Sequence, residues 1–227
     1  MGKNNVKILA SADIHGDHRS LQWVVEMSQS SQPDVVVLAG DLLGCPAEYK
    51  SVEQAQVADA ERTSATLEQI TVPVLYLMGN DDLVPLQPKS ENIISLHGRS
   101  IPFGPYNFVG YQYSLPFMGG VYEKSEDEIK EDIAAIEHYV SPNTVLVTHC
   151  PAHGILDMGI LNRHAGSVSI LELITSKKPR AHIHGHIHYH FGRQGIHFNV
   201  AADMQERAVL IDLERLKHTV LAGTLSA

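Results

Sequence analysis

Five short segments each place a metal-competent side chain directly behind an apolar run: Asp13-Ile14-His15, Gly40-Asp41, Gly79-Asn80-Asp81, Thr148-His149 and Gly185-His186-Ile187-His188. Continuous apolar runs such as Val35 to Leu38 read as strands buried on both faces. A chain that repeats this pattern is held to an α/β architecture, with its polar side chains collected where strands end. Taken singly, an Asp at such a place is more often a helix cap than a ligand. Five together converge.

Between the segments the periodicity alternates. Val6 to Ala10 predicts a strand, Ser20 to Ser28 a helix, and Val35 to Leu38 a second strand. Ser51 to Ile70 lacks Gly and Pro and predicts a helix that feeds a strand at Val72 to Leu77. Ile93 to Phe117 mixes short apolar pieces with Gly98, Pro102, Gly104, Pro105 and Pro116, which predicts hairpins rather than crossovers. A helix over Ser125 to Tyr139 then precedes a strand at Val145 to Val147. Val168 to Thr175 predicts a helix and Ala181 to His184 a strand, and β pieces follow near His197 to Val200, Ala208 to Asp212 and His218 to Leu221. No repeat, linker or composition break divides the 227 residues, so one domain over 1–227 is expected.

A formal charge of -9 describes an acidic chain without an extended basic face, which argues against tight non-specific nucleic-acid binding. Two cysteines, Cys45 and Cys150, are too few for a disulfide framework and point to a reducing compartment. Met1 to Asn5 leads straight into a short strand, with no apolar stretch long enough for a signal peptide or a membrane span. The expected location is the cytoplasm.

In open α/β sheets, ligands bind where the carboxyl ends of strands meet the following loops, and all five segments sit at such ends. Two aspartates, an asparagine oxygen and four imidazoles, without thiolate, suit a pair of divalent first-row metals. Two such ions lie about 3.5–4 Å apart, generate a hydroxide nucleophile near neutral pH and clamp the attacking and leaving oxygens of an in-line displacement. Two carboxylates against two divalent cations leave a charge of about +2 before any hydroxide. Phosphate esters fit that charge.

The segments resemble the calcineurin-like metallophosphoesterase family, whose pattern runs D-x-H, G-D, G-N-H-[DE], a lone H, and G-H-x-H. The resemblance spans positions 13 to 188. It implies a four-layer α/β fold, two packed mixed β-sheets flanked by helices, and two divalent ions drawn from Mn, Fe, Zn, Ni or Mg. Asp13, His15, Asp41 and His188 would hold one ion, and Asp41, Asn80, His149 and His186 the other, with Asp41 bridging. A finer similarity, in His149-Cys150-Pro151, Gly166-Ser167 and the final histidine run, is to predicted phosphoesterases related to cyclic-nucleotide phosphodiesterases. It implies phosphodiester hydrolysis, with a nucleotide among the candidate substrates.

The departure is Asp81, in Gly79-Asn80-Asp81-Asp82, where the family carries the histidine that contacts substrate and helps protonate the leaving oxygen. A carboxylate beside two cations should be held ionised, which makes Asp81 a weak acid catalyst at neutral pH. Losing a general acid costs about 10²- to 10⁴-fold, most for poor leaving groups. The expected substrates are therefore phosphodiesters, pyrophosphates or activated phosphomonoesters, with Asp81 the candidate catalytic residue. Asn80, His153 and His190 are candidate substrate contacts, and His153 and His164, in the loop after His149, either line the pocket or stand in for the missing acid. His182 and His184 are read as supporting the sheet or the ligands. Asp17 is read as a helix cap, Asp82 as a partner of groups around the ions, and Ser167 as a helix cap or a substrate contact. His18, His138, His197 and His218 are read as structural or exposed, and Cys45 and Cys150 as non-ligands. Tyr111, Tyr113 and Phe117 either pack in a core or wall a pocket for an aromatic group. Two other classes stay open: a catalytically weak or silent protein-binding scaffold of the same fold, and a DNA-processing nuclease, which would need the histidine and a larger DNA-binding apparatus.

Overall fold

The computed structural model describes residues 5–45 and 47–223; Met1 to Asn4, from which the leaderless reading began, and Pro46 lie outside the described residues. The elements run β1 (Lys7–Ser11), α1 (His18–Ser30), β2 (Val35–Ala39), α2 (Val52–Leu67), β3 (Val74–Leu77), β4 (Ile93–Ser95), β5 (Ser100–Phe103), β6 (Tyr106–Tyr111) and α3 (Glu126–Ile136). Then come β7 (Thr144–Thr148), α4 (Val168–Lys177), β8 (Ala181–His184), β9 (Gly192–Gln194), β10 (His197–Asn199), β11 (Arg207–Asp212) and β12 (Lys217–Ala222). The described residues form two six-stranded sheets, ordered β12-β11-β1-β2-β3-β4 and β5-β6-β7-β8-β10-β9. Both are mixed: β1, β2, β3 and β4 run parallel while β11 pairs antiparallel to β1, and β6, β7, β8 and β10 run parallel while β5 and β9 are antiparallel edges.

Alternation along each central strand dictates the layers, because successive side chains point to opposite faces. Ile8 and Ala10 of β1 and Val35, Val37 and Ala39 of β2 meet Phe108, Val145, Val147 and Ile183 of the other sheet in a dry layer between the sheets. The intervening Leu9, Val36 and Leu38 face Leu21, Val24 and Val25 of α1 and Ala60 and Leu67 of α2. On the far side, Val109 and Leu146 pack on Ile129, Ile133 and Ile136 of α3 and Ile170, Leu173 and Ile174 of α4. The result is the expected four-layer arrangement, helices outside two sheets.

The helix starts follow their capping residues. Asp17 accepts from the Arg19 amide, as the sequence predicts, Ser51 from Gln54, and Ser125 forms a reciprocal capping box with Glu128. Ser167 accepts from Ile170, so the capping reading of that serine is realised. Its hydroxyl also donates to Glu126, whose carboxylate accepts from the Val168 and Ser169 amides and joins the start of α3 to the start of α4. The Pro- and Gly-rich middle holds the expected hairpin in β5 and β6, but β4 instead extends the first sheet parallel to β3. The predicted helix to Tyr139 ends at Ile136 and tightens into a 3₁₀ turn over Glu137–Tyr139. Strand β9 was not expected; it is a short edge with Gly192 and Arg193. Among the described residues, no helix is long and apolar enough to cross a membrane.

Candidate metal centre

All five segments leave the carboxyl ends of strands from both sheets: β1, β2 and β3 in one, β7 and β8 in the other. The facing sheets bring the segments to one edge of the molecule. Four of the side chains there hang on left-handed backbone, with φ of 56° at Asp13, 49° at His15, 52° at Asp41 and 70° at His186. Non-glycine residues rarely adopt that region, and clusters of them mark functional sites. Gly40, itself at φ +99°, passes so near His149 that a Cβ would sit 2.5 Å from Nδ1. A Cβ on Gly79 would overlap the Asp41 carboxylate and lie 2.6 Å from His149 Cε1. The glycine before each of these two ligands therefore makes room for a neighbouring one.

Donor atoms fall into two groups. Those of Asp13, His15 and His188 lie within 4.8 Å of one another, and so do those of Asp41, His149 and His186. Asp41 links them, its Oδ2 being 3.3 Å from His149 Nε2 and 4.0 Å from His15 Nε2. Asn80 joins the second group through Oδ1, 2.9 Å from His149 Nε2.

Hydrogen bonding orients the donors of each group. His149 Nδ1 donates to the Ala39 carbonyl at 2.9 Å, so Nε2 is the ring atom that faces two oxygen acceptors, Asn80 Oδ1 and Asp41 Oδ2. In the other group, His188 Nδ1 meets Asp203 Oδ1 at 2.9 Å, leaving Nε2 facing Asp13 Oδ1 at 3.2 Å and His15 Nε2 at 3.3 Å. Acceptors converging on a point repel unless a proton or a cation lies among them. An oxygen and nitrogen set of this kind fits divalent ions.

The electrostatics agree. Burial opposes charge on His149, yet the Asp41 carboxylate overcomes it and pushes the ring up to about 10. Burial likewise raises Asp41, but His149 more than offsets it and holds the carboxyl below the ordinary range. Burial, with His149 alongside, pushes His186 down to about 4, leaving a neutral imidazole with a lone pair to give. The centre thus attracts positive charge at one point and keeps a neutral ligand at another.

Asp81 lies at the rim. Its Oδ2 is 3.4 Å from His15 Nδ1, its Oδ1 accepts from the Asn80 amide, and its own amide donates to Asp41 Oδ1 at 2.9 Å. Burial and the charge of Asp41 raise its pKa, the reverse of the shift expected from two cations, because the protein groups alone set it beside another carboxylate. Asp82 is fully buried and accepts from the Leu42, Leu43 and Gly79 amides, fastening the loop after β2 to the loop after β3.

Other candidates fall elsewhere. His153 and His164 flank the buried Asp157, with His164 Nδ1 at 2.8 Å and His153 Nδ1 at 4.0 Å from its oxygens. His164 lines a concavity beside the ligands, together with Tyr189, whereas neither His153 nor His190 lines either concavity flanking the centre. His182 supports the sheet, facing Thr148 Oγ1 at 2.8 Å and His197 Nδ1 at 3.0 Å, and His184 Nδ1 faces the Gly185 carbonyl. Among the described residues, neither side chain hydrogen-bonds a candidate ligand, whereas Ala39 and Asp203 orient His149 and His188. His18, by contrast, pairs with buried Asp59, which accepts from Gly44 beside the centre. Burial pushes the Cys150 thiol up to about 12, so it offers no thiolate, and the exposed Cys45 belongs to neither group of donors. Tyr111 packs in the core with its hydroxyl on Asp132, while Phe117 is 58% exposed.

Sequence reasoning missed Asp203 and Gln56. Asp203 follows β10 as Asp13 follows β1, at φ 53°, so the strand-end pattern was present but lacked a recognisable partner. Gln56, inside α2, donates to the Asp81 carbonyl at 2.6 Å and accepts from Leu83, and no local pattern marks it.

The calcineurin-like phosphoesterase family model matches residues 6–190. No curated protein sequence matches. Among solved structures, TT1561 of Thermus thermophilus is similar at 18% identity with a TM-score of 0.70, covering 96% of this chain and 98% of that one. A dimetal phosphatase from Danio rerio is similar at 11% identity and TM-score 0.59, covering 96% and 98%. GAP50, the anchor in the inner membrane complex of Plasmodium, is similar at 10% identity and TM-score 0.51, covering 97% and 89%.

Proposed function

This chain belongs to the calcineurin-like phosphoesterase family, and from that premise we propose that it hydrolyses a phosphodiester, a pyrophosphate or an activated phosphomonoester at a centre for two divalent ions. The family implies divalent metal and a phosphate ester substrate. In the proposed assignment Asp13, His15, Asp41 and His188 hold one ion, and Asp41, Asn80, His149 and His186 the other. When bound, such ions neutralise the phosphate and lower the pKa of water toward neutrality.

The chain's own residues do the rest. Asp41 ties the two halves, and its carboxylate is oriented by the Asp81 amide. Ala39 and Asp203 fix the tautomers of His149 and His188, so that Nε2 faces inward on each. Asn80 donates its amide to Asp81 and turns Oδ1 toward the centre. Asp81, 3.4 Å from His15, replaces the imidazole with a carboxyl whose protonation the protein favours and the cations oppose. Substrates whose leaving oxygen needs little protonation suit that balance.

The observation that carries this reading is the pair of converging donor sets joined at Asp41. The Plasmodium anchor has a related fold, so the fold alone does not select an enzyme. The converging side chains favour the enzyme: a silent scaffold has no use for two sets of metal-competent atoms joined at one carboxylate. Hydrolysis of aryl phosphates, aryl phosphodiesters, cyclic nucleotides and nucleotide diphosphate conjugates, each with Mn, Ni, Zn or Mg, tests the reading. Failure to bind any divalent ion, or simple alkyl monoesters turning over faster than aryl diesters, refutes it. A single domain over 1–227 is proposed, and the free Cys45 and Cys150 suit a cytoplasmic setting.

A further inference from the structure

Two concavities of unlike character flank the metal ligands. The larger, about 510 Å³, is lined by His186 and His188 together with Phe117, Ile160 and Tyr189. The smaller, about 360 Å³, is bounded by His15, Asn80, Asp81, Gln56 and the segment Met118 to Gly120. Phe117 and Met118 are neighbours in sequence, so one stretch of chain separates the two.

The larger concavity is apolar in a place where apolar exposure is costly. Phe117 is 58% exposed, Ile160 59% and Tyr189 75%. Exposed apolar side chains gathered around one hollow mark a binding surface, whereas scattered ones do not. The segment carrying Phe117 is also held rigidly: the Glu123 carboxylate accepts from the Phe117, Met118 and Gly119 amides at 2.8, 2.8 and 2.9 Å. A ring presented by a clamped turn is pre-organised to receive a partner. It stands 6.5 Å, centroid to centroid, from the His186 ring. Arg163 also lines the hollow and, among the described residues, makes no ion pair there.

We propose that the hollow over Phe117, Ile160 and Tyr189 binds a flat, apolar organic group of the phosphate ester, with a second anionic substituent of that group directed to Arg163. This rests on the proposed phosphoesterase reading and adds the substrate class: an ester whose one arm is aromatic and anionic, the other arm, if any, facing the smaller polar hollow. The volume accommodates a drug-sized group, and apolar side chains share the lining with Arg163 and the histidines, as in ordinary small-molecule sites. Anchoring one arm on Phe117 sets the phosphorus beside His186 and His188.

Titration calorimetry on the metal-loaded full chain separates the two claims. Phenylphosphonate is expected to bind about tenfold more tightly than methylphosphonate, the gain expected from aromatic contact. In Phe117→Ala and Tyr189→Ala that ratio falls to roughly twofold; both side chains are exposed, so neither substitution threatens folding. A 4-carboxyphenylphosphonate gains a further few-fold, and Arg163→Gln removes the gain. Equal affinities in the parent, absence of binding by either phosphonate, or a ratio that survives both substitutions overturns the proposal. A carboxylate gain that survives Arg163→Gln overturns the assignment of the anion. Hydrolysis of methyl p-nitrophenyl phosphate is scored separately: its absence counts against the phosphoesterase reading while leaving the arm preference measurable.

Discussion

Gly79→Ala tests the geometry of the centre with one methyl group. Gly79 has no Cβ because the Asp41 amide lies 2.5 Å and His149 Cε1 2.6 Å from where it would stand, with the Asp41 carboxylate nearer still. Backbone and a fully buried ring cannot give way cheaply, so Asp41 and His149 must separate. Inserting a methyl into a packed site costs about 1–3 kcal/mol. At roughly 2–4 °C per kcal/mol for a chain of this size, the melting temperature should fall by about 2–12 °C. Metal affinity should fall further than stability suggests, by about 10- to 100-fold, since displaced supports already cost that much at metal sites. Gly159→Ala is the control, because its Cβ would meet only Ala165 Cβ at 3.6 Å and other atoms at ordinary contact distance. Calorimetric metal titration and thermal melts of both variants decide the matter. If Gly79→Ala binds metal with parental affinity and melts within about 1 °C of the parent, the claimed crowding around Asp41 is wrong.

Further perturbations probe the same logic. Asp41→Ala should lose both metal stoichiometry and hydrolysis, and full activity in that variant would disprove the bridging role. Asp203→Ala frees the His188 ring and should weaken metal binding by about 10- to 100-fold without unfolding the chain, measured by competition with a chelating dye. Divalent ion at 100 times its Kd should stabilise the fold by about 2.7 kcal/mol, and a melt unmoved by metal after chelation contradicts a built site. Glu126 is raised by burial but lowered more strongly by hydrogen bonds from Ser169, Ser167 and Val168, so its pKa lies below 4.5. Its stabilisation is present above about pH 4.5 and is lost as pH falls through the lowered folded value. Glu126→Gln should therefore cost about 1 kcal/mol at pH 7 and flatten the acid limb of the stability curve; an unchanged acid limb refutes the clamp between α3 and α4.

Local chemistry determined much of this protein. Buried strands such as Val35–Ala39 declare themselves as apolar runs, and Asp17, Ser51 and Ser125 mark helix starts, because burial period and capping act within a few residues. Asp13, His15, Asp41, Asn80, His149, His186 and His188 were likewise visible as polar residues placed where strands end. Partners across the fold were not. Whether β4 continues the first sheet or joins a hairpin depends on which edge is free, and β9 exists as a strand only because β10 offers it one. Asp203, Asp82 and Gln56 gain their roles from loops brought together by sheet packing. The apolar hollow needs Phe117 from the loop after β6 beside Ile160 from the loop after β7 and Tyr189 from the loop after β8. Strand and candidate-ligand identity follow from short-range burial and chemistry, whereas pairing, second contacts and the shape around the candidate metal centre follow from long-range packing that no window of sequence contains.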